Sequence, residues 1–266
     1  MAATRHWGDF MSNFIQTEAR NHILIITLNR PEARNAFNKA MADEMEAILD
    51  AYDADANLRA AIIVAEGATF SAGQDLIEAA KGGMAVAAKR GGFGIMSIPP
   101  EKPLIAAIEG QALAGGMEMA LCCDVIVAST SAIFGLAETK RGLVAMGGGC
   151  FRLPKRIPYN IAMEMIITAE PKSAAEMAHY GLVNKLVEPG TALEGAIALA
   201  DLIAHNGPIA VRASKAITAQ SANEGWSDEL AWKNQMPILE KVRASHDLKE
   251  GLRAFAEKRA PVWTGS

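Results

Sequence analysis

Three short apolar runs, at residues 22–29, 58–65 and 103–108, constrain this chain more than any other feature in it. In each run the apolar and β-branched residues are consecutive instead of alternating with polar ones, which predicts strands buried on both faces. Helical spacing appears between them. Asn38 is a candidate N-cap for a helix reaching about Asp53, with Met41, Met45, Ile48 and Leu49 on its buried side. The first strand ends before Pro31, because the residue ahead of a proline is held extended and the proline then starts a turn. Strands covered on both sides and separated by helices predict an α/β architecture with parallel pairing.

Two stations of small residues follow the second and third strands. After residue 108 the chain passes through a small-residue turn and opens a helix at about Gly115. Gly115 and Gly116 present no side chain to an approaching group. The first amides of a helix lack internal acceptors and sit at the positive end of its dipole. Glu118 follows one turn later on nearly the same face. An oxyanion donor beside a carboxylate supplies parts for chemistry at a carbonyl. The same pattern also serves helix capping and close helix–strand packing, so alone it leaves both readings open. The second station, residues 66–76, reads as a loop in which Gly73 lets the backbone pass near a ligand and Asp75 caps a following helix.

Elsewhere the pattern is plainer. Residues 77–101, rich in Ala, Gly and Lys, predict a mobile mixture of helix and loop at the mouth of a ligand site. Short strands are expected at 124–128, 132–134 and 183–187. A short helix opens at Gly147-Gly148-Gly149 and ends before Arg152, another spans 159–169, and Ser173 with Glu176 forms a capping box for a third. Long helices are expected at 193–205, 209–220, 227–243 and 248–258. The resulting division is a loose tail over 1–14, an α/β core over 15–205 and a C-terminal helical segment over 206–266.

A formal charge of −4 argues against nucleic acid and anionic membrane as partners. No apolar run approaches the roughly 20 residues of a membrane span, and the N-terminal residues carry no signal-peptide pattern. Cys122, Cys123 and Cys150 form neither a disulfide framework nor a zinc pattern, which fits a cytoplasmic location with no metal. A serine-hydrolase elbow is missing. Gly142 and Gly147 have P-loop spacing, but Gly148 stands where that loop needs lysine. His179, His205 and His246 show no triad or ligand spacing.

Five motifs in order carry a family resemblance. FSAGQDL at 70–76 resembles the F-x-A-G-x-D-[IL] loop of the enoyl-CoA hydratase/isomerase (crotonase) superfamily, and ALAGGMEMALCCD at 112–124 its A-x-G-G-G-x-E-L-A-x-x-C-D block. FGLAE at 134–138, RPEARNA at 30–36 and EGLRAFAEKR at 250–259 resemble three further stations. Ala114 replaces a glycine and Ala137 a proline. The resemblance implies a crotonase-like spiral of repeated ββα units with a C-terminal helical segment. It implies enoyl-CoA hydration by Glu118 and Glu138, with an oxyanion hole from the amides of Gln74 and Gly115. It further implies coenzyme A contacts at Ala33, Arg34, Ala72, Gln74, Asp75 and Leu76, with Phe255 and Lys258 reaching the pocket from a neighbouring subunit. Coenzyme A is then part of the substrate and no separate cofactor is expected. Homotrimers or dimers of trimers are the implied assembly. Residues around Arg141 and Arg152 also resemble carnitinyl-CoA dehydratases, so a specialised dehydratase is an alternative, as are an isomerase and a non-enzymatic acyl-CoA scaffold.

Overall fold

The computed structural model describes residues 14–266; the loose tail expected over 1–14 falls almost wholly outside the described residues. The chain opens with β1 (Ile15–Arg20) and β2 (Ile23–Leu28), then α1 (Lys39–Ala54), capped as expected by the Asn38 side chain, which accepts from the Met41 amide at 2.9 Å. A ββα step whose two strands part into different sheets then occurs three times. A strand β3 (Ala60–Ala65) leads to a short strand β4 (Thr69–Ser71) and a helix α2 (Leu76–Ala80). A hairpin of β5 (Val86–Ala87) and β6 (Gly91–Gly92) follows, and then β7 (Leu104–Ile108), β8 (Gln111–Leu113) and α3 (Gly115–Ala120). The third turn is β9 (Val125–Ser129) and β10 (Ile133–Gly135), with α4 (Gly149–Arg156) and α5 (Tyr159–Thr168). After these come β11 (Lys172–Ser173), α6 (Ala174–His179), β12 (Lys185–Val187) and α7 (Ala192–Ala204).

The first strand of each turn enters a six-stranded sheet ordered β1-β2-β3-β7-β9-β12, and the second enters a four-stranded sheet ordered β11-β10-β8-β4. Each ββα unit therefore adds one strand to both sheets, which makes a spiral. All pairs in the large sheet are parallel except β1 with β2. Alternation explains why these strands read as wholly apolar. Ala61 and Ile63 face the main core, whereas Ala60, Ile62 and Val64 face α7. That helix presents Ala192, Ala196 and Ala200 at four-residue spacing, so small side chains let it lie close to the sheet.

Several expectations are corrected. The loop at 66–76 contains β4, and β8 separates the third strand from α3; both are three-residue strands, too short for a periodic signal. The edge strand β1 is half polar and was not visible in the pattern. Residues 85–96 within the segment 77–101 are packed against the core instead of loose. Arg90, 3% exposed, pairs with Asp50 at 2.7 Å and Asp53 at 2.8 Å on α1, and Phe93 stacks on Phe37 with ring centroids 4.4 Å apart. Helix α4 does not stop before Arg152 but runs on through Pro154, which forgoes only one bond in a short helix.

The C-terminal segment contains α8 (Pro208–Glu224), α9 (Asp228–Asn234), α10 (Met236–Ala244) and α11 (His246–Glu257). The single helix expected over 227–243 is broken, because Pro237 cannot continue the α9 hydrogen-bond ladder and instead sits in the first turn of α10. Past α11 the chain folds back on the core. The Trp263 indole donates to the His205 carbonyl, and Glu250, 3% exposed, accepts from Arg253, Arg259 and the Val262 amide. Among the described residues no helix is long and apolar enough to cross a membrane.

Candidate active site

The two glycine stations meet. A side chain at Gly73 would place its Cβ 2.8 Å from the Gly115 nitrogen, and one at Gly116 would come 2.1 Å from the Ser71 carbonyl oxygen, so only glycine permits the approach. The loop at 30–36 holds the first station. Asn35, fully buried, donates to the Glu66 and Thr69 carbonyls at 2.9 and 2.7 Å, and Arg30 reaches Asp75 at 2.7 Å. Phe37 then donates to the Gly73 carbonyl and accepts from the Asp75 amide, a parallel bridge that turns the Gln74 amide the other way. Gly115 is the first residue of α3, where an amide has no internal acceptor. Among the described residues, neither of these two amides donates to another protein group. The Gln74 side chain also has work that the sequence did not disclose: its Oε1 accepts from Ala85 and ties down the turn before β5.

Ala114, at the glycine position of the motif, has φ 50° and ψ −127°, a region that a residue with a Cβ rarely adopts. Such backbone costs on the order of 1–3 kcal/mol, and glycine relieves most of it while losing about 0.5–1 kcal/mol to unfolded-chain entropy. Ala114→Gly is expected to raise the thermal midpoint by about 2–4 °C; a midpoint at or below wild type in a thermal melt would refute the strain.

Both carboxylates reach the same cleft of about 1170 Å³, together with Gln74 and Gly115. Glu118, 4% exposed, accepts from the Gly149 amide through Oε1 at 2.9 Å. Burial raises its pKa, and the amides of residues 147–149 and the Arg152 charge oppose the rise. Glu138 opens a short 3₁₀ turn, and its buried Oε2 has no hydrogen-bond partner among the described residues. Burial, reinforced by the Glu118 charge, lifts it to about 7. One acid therefore has fixed donors on its carboxylate, while the other is set to hold a proton near neutrality.

Ala33, Arg34, Ala72, Asp75 and Leu76 also line the cleft. Phe255 and Lys258 do not: Phe255 projects 87% exposed from α11, and Lys258 caps that helix. Arg141 lines the cleft, whereas Lys140 pairs with Glu170 at the surface. His179, His205 and His246 lie outside it. The sequence places residues 141–149 in the pocket wall but does not disclose the Gly149 amide as the donor to Glu118 or Arg152 as a partner of the site; the three consecutive glycines were the available signal.

A family model described as enoyl-CoA hydratase/isomerase matches residues 18–266. Enoyl-CoA hydratase EchA19 of Mycobacterium tuberculosis is 41% identical, over 92% of this chain and 94% of that protein. Carnitinyl-CoA dehydratase of Proteus mirabilis is 38% identical, over 96% and 100% respectively. The crystal structure of enoyl-CoA hydratase from Mycobacterium tuberculosis H37Rv superposes with a TM-score of 0.92 at 50% identity, covering 96% of this chain and all of that one.

Proposed function

The chain belongs to the enoyl-CoA hydratase/isomerase family, and on that premise we propose that it adds water reversibly across the 2,3-double bond of a trans-2-enoyl-CoA thioester. The observation that carries this reading is the convergence of two differently tuned acids, Glu118 and Glu138, on a cleft that also holds the free amides of Gln74 and Gly115. The thioester oxygen accepts from both amides, which stabilise the enolate that forms as C3 is attacked. A donor of this kind contributes about a hundred- to thousand-fold in rate. Glu118, as carboxylate, takes a proton from water while the oxygen adds to C3. Glu138, as acid, gives its proton to C2. The two groups end with exchanged protonation, which solvent restores.

Coenzyme A enters as part of the substrate, with its nucleotide along Ala33, Arg34 and the backbone at residues 72–76. Assembly as a homotrimer or dimer of trimers belongs to the same reading. It would bring Phe255 and Lys258 to a neighbour's pocket, and the exposure of Trp232, Leu252 and Phe255 supports it. On this reading the enzyme is cytoplasmic, residues 15–205 form the catalytic core and 206–266 the assembly segment.

A second reading, dehydration of a specialised acyl-CoA, is favoured by the likeness to the Proteus protein named carnitinyl-CoA dehydratase. Crotonyl-CoA separates the two, because its ultraviolet absorbance falls when the conjugated double bond is hydrated. Turnover is expected, with a rate profile over acyl chains that identifies the physiological length. Inactivity on every straight-chain enoyl-CoA, with turnover of a carnitine-like one, would replace the first reading by the second.

A further inference from the structure

Residues 147–149 are three consecutive glycines, a stretch with large conformational freedom, yet they must present an amide to Glu118. One side chain stands against that freedom. Arg152, one turn into α4, donates through Nη1 to the Gly147 carbonyl at 2.9 Å and through Nη2 to the Met96 carbonyl at 2.6 Å. Its planar fork spans two walls of the cleft: the chain after β6, and the turn that opens α4. Gly147, within that turn, is wedged between Met96 and Glu118, since a Cβ there would lie 2.3 Å from Met96 Sδ and 2.7 Å from Glu118 Oε2.

We infer that Arg152 is a positioning residue for the reaction, fixing the glycine turn so that the Gly149 amide holds Glu118 in the orientation of a base. The charged groups that act on Glu118 are Arg152 from α4 and Glu138 from the turn before it, with the Cys122 thiol one helical turn on. Arg152 is the cation of this set, so it also favours the ionised form that a base requires.

The kinetic part of the test rests on the hydration reading; amide exchange does not. Arg152→Gln removes charge and fork, whereas Arg152→Lys keeps the charge and loses the fork. In the Gln variant, kcat is expected to fall about tenfold or more through misplacement of the base, with KM little changed. The acid limb of its kcat profile moves to higher pH, and the amides of residues 147–150 exchange faster while those of α1 do not. The Lys variant keeps the wild-type acid limb but shows the faster local exchange and a reduced kcat. Wild-type exchange at 147–150 in either folded variant overturns the inference. So does faster exchange that extends through α1, or failure of both variants to fold, because the role is then structural. If the wild type hydrates no enoyl-CoA, the hydration reading fails, and amide exchange then decides only whether Arg152 fixes the glycine turn that holds Glu118.

Discussion

Glu118→Gln lowers kcat for crotonyl-CoA hydration at least about a hundredfold, the scale of a lost general base. The substitution is nearly isosteric. A glutamine oxygen can still accept from the Gly149 amide at the 2.9 Å observed for the carboxylate, so the glycine turn keeps its anchor. What is lost is the negative charge and the ability to take a proton from water. KM is expected to change little, because the proposed coenzyme A contacts lie at residues 33–34 and 72–76, away from this side chain. A fall in kcat and kcat/KM together, with KM unaltered, is the signature of an interaction made only in the transition state. The oxyanion amides survive the change, so a residual rate above that of water is expected. Full activity in a folded Glu118→Gln protein would remove the assigned role.

The sequence disclosed those parts of the fold that rest on local chemistry. The Asn38 cap, the Ser173–Glu176 capping box and the consecutive apolar residues of β2, β3 and β7 are written in neighbouring positions, and all are present. Parallel pairing was legible because a strand covered on both faces has few other homes. Strands β4 and β8 were not legible: three residues carry no period, and their pairing depends on chain distant in sequence. The anchoring of the stretch around Arg90 was hidden for a related reason. Arg90 reads as a surface charge until α1 brings Asp50 and Asp53 to it from 37 to 40 residues away. The same holds at the site. Glu118 and Glu138 could be named from motifs, but the amide that fixes Glu118 comes from residue 149 and the fork that fixes that turn from residue 152. Motif residues are recognisable by type, whereas the residues that aim them are recognisable only by where they arrive.

Glu138→Gln is expected to show two large effects of opposite kind. Hydration falls at least about a hundredfold in kcat, because the amide cannot deliver a proton to C2. In the wild type the same requirement makes hydration decline as pH rises through about 7, where Glu138 loses its proton. Stability moves the other way. Burial lifts the Glu138 pKa from its ordinary value of 4.5 to about 7, so between those limits the folded protein keeps a proton that the unfolded chain releases. The stabilising contribution of the protonated form is complete below 4.5 and is lost as pH climbs through 7. Above 7 the wild type carries a desolvated carboxylate with an unpartnered Oε2, whereas glutamine is neutral at every pH. The variant should therefore match the wild type near pH 4.5 and exceed it at pH 8 by about 1–2 kcal/mol, allowing for the contact Glu138 keeps with water in the open cleft. Denaturant unfolding at the two pH values measures the difference directly. A variant that is inactive but no more stable at pH 8 would mean that Glu138 is ionised at little cost in the folded protein, and its assignment as the acid would fall with it.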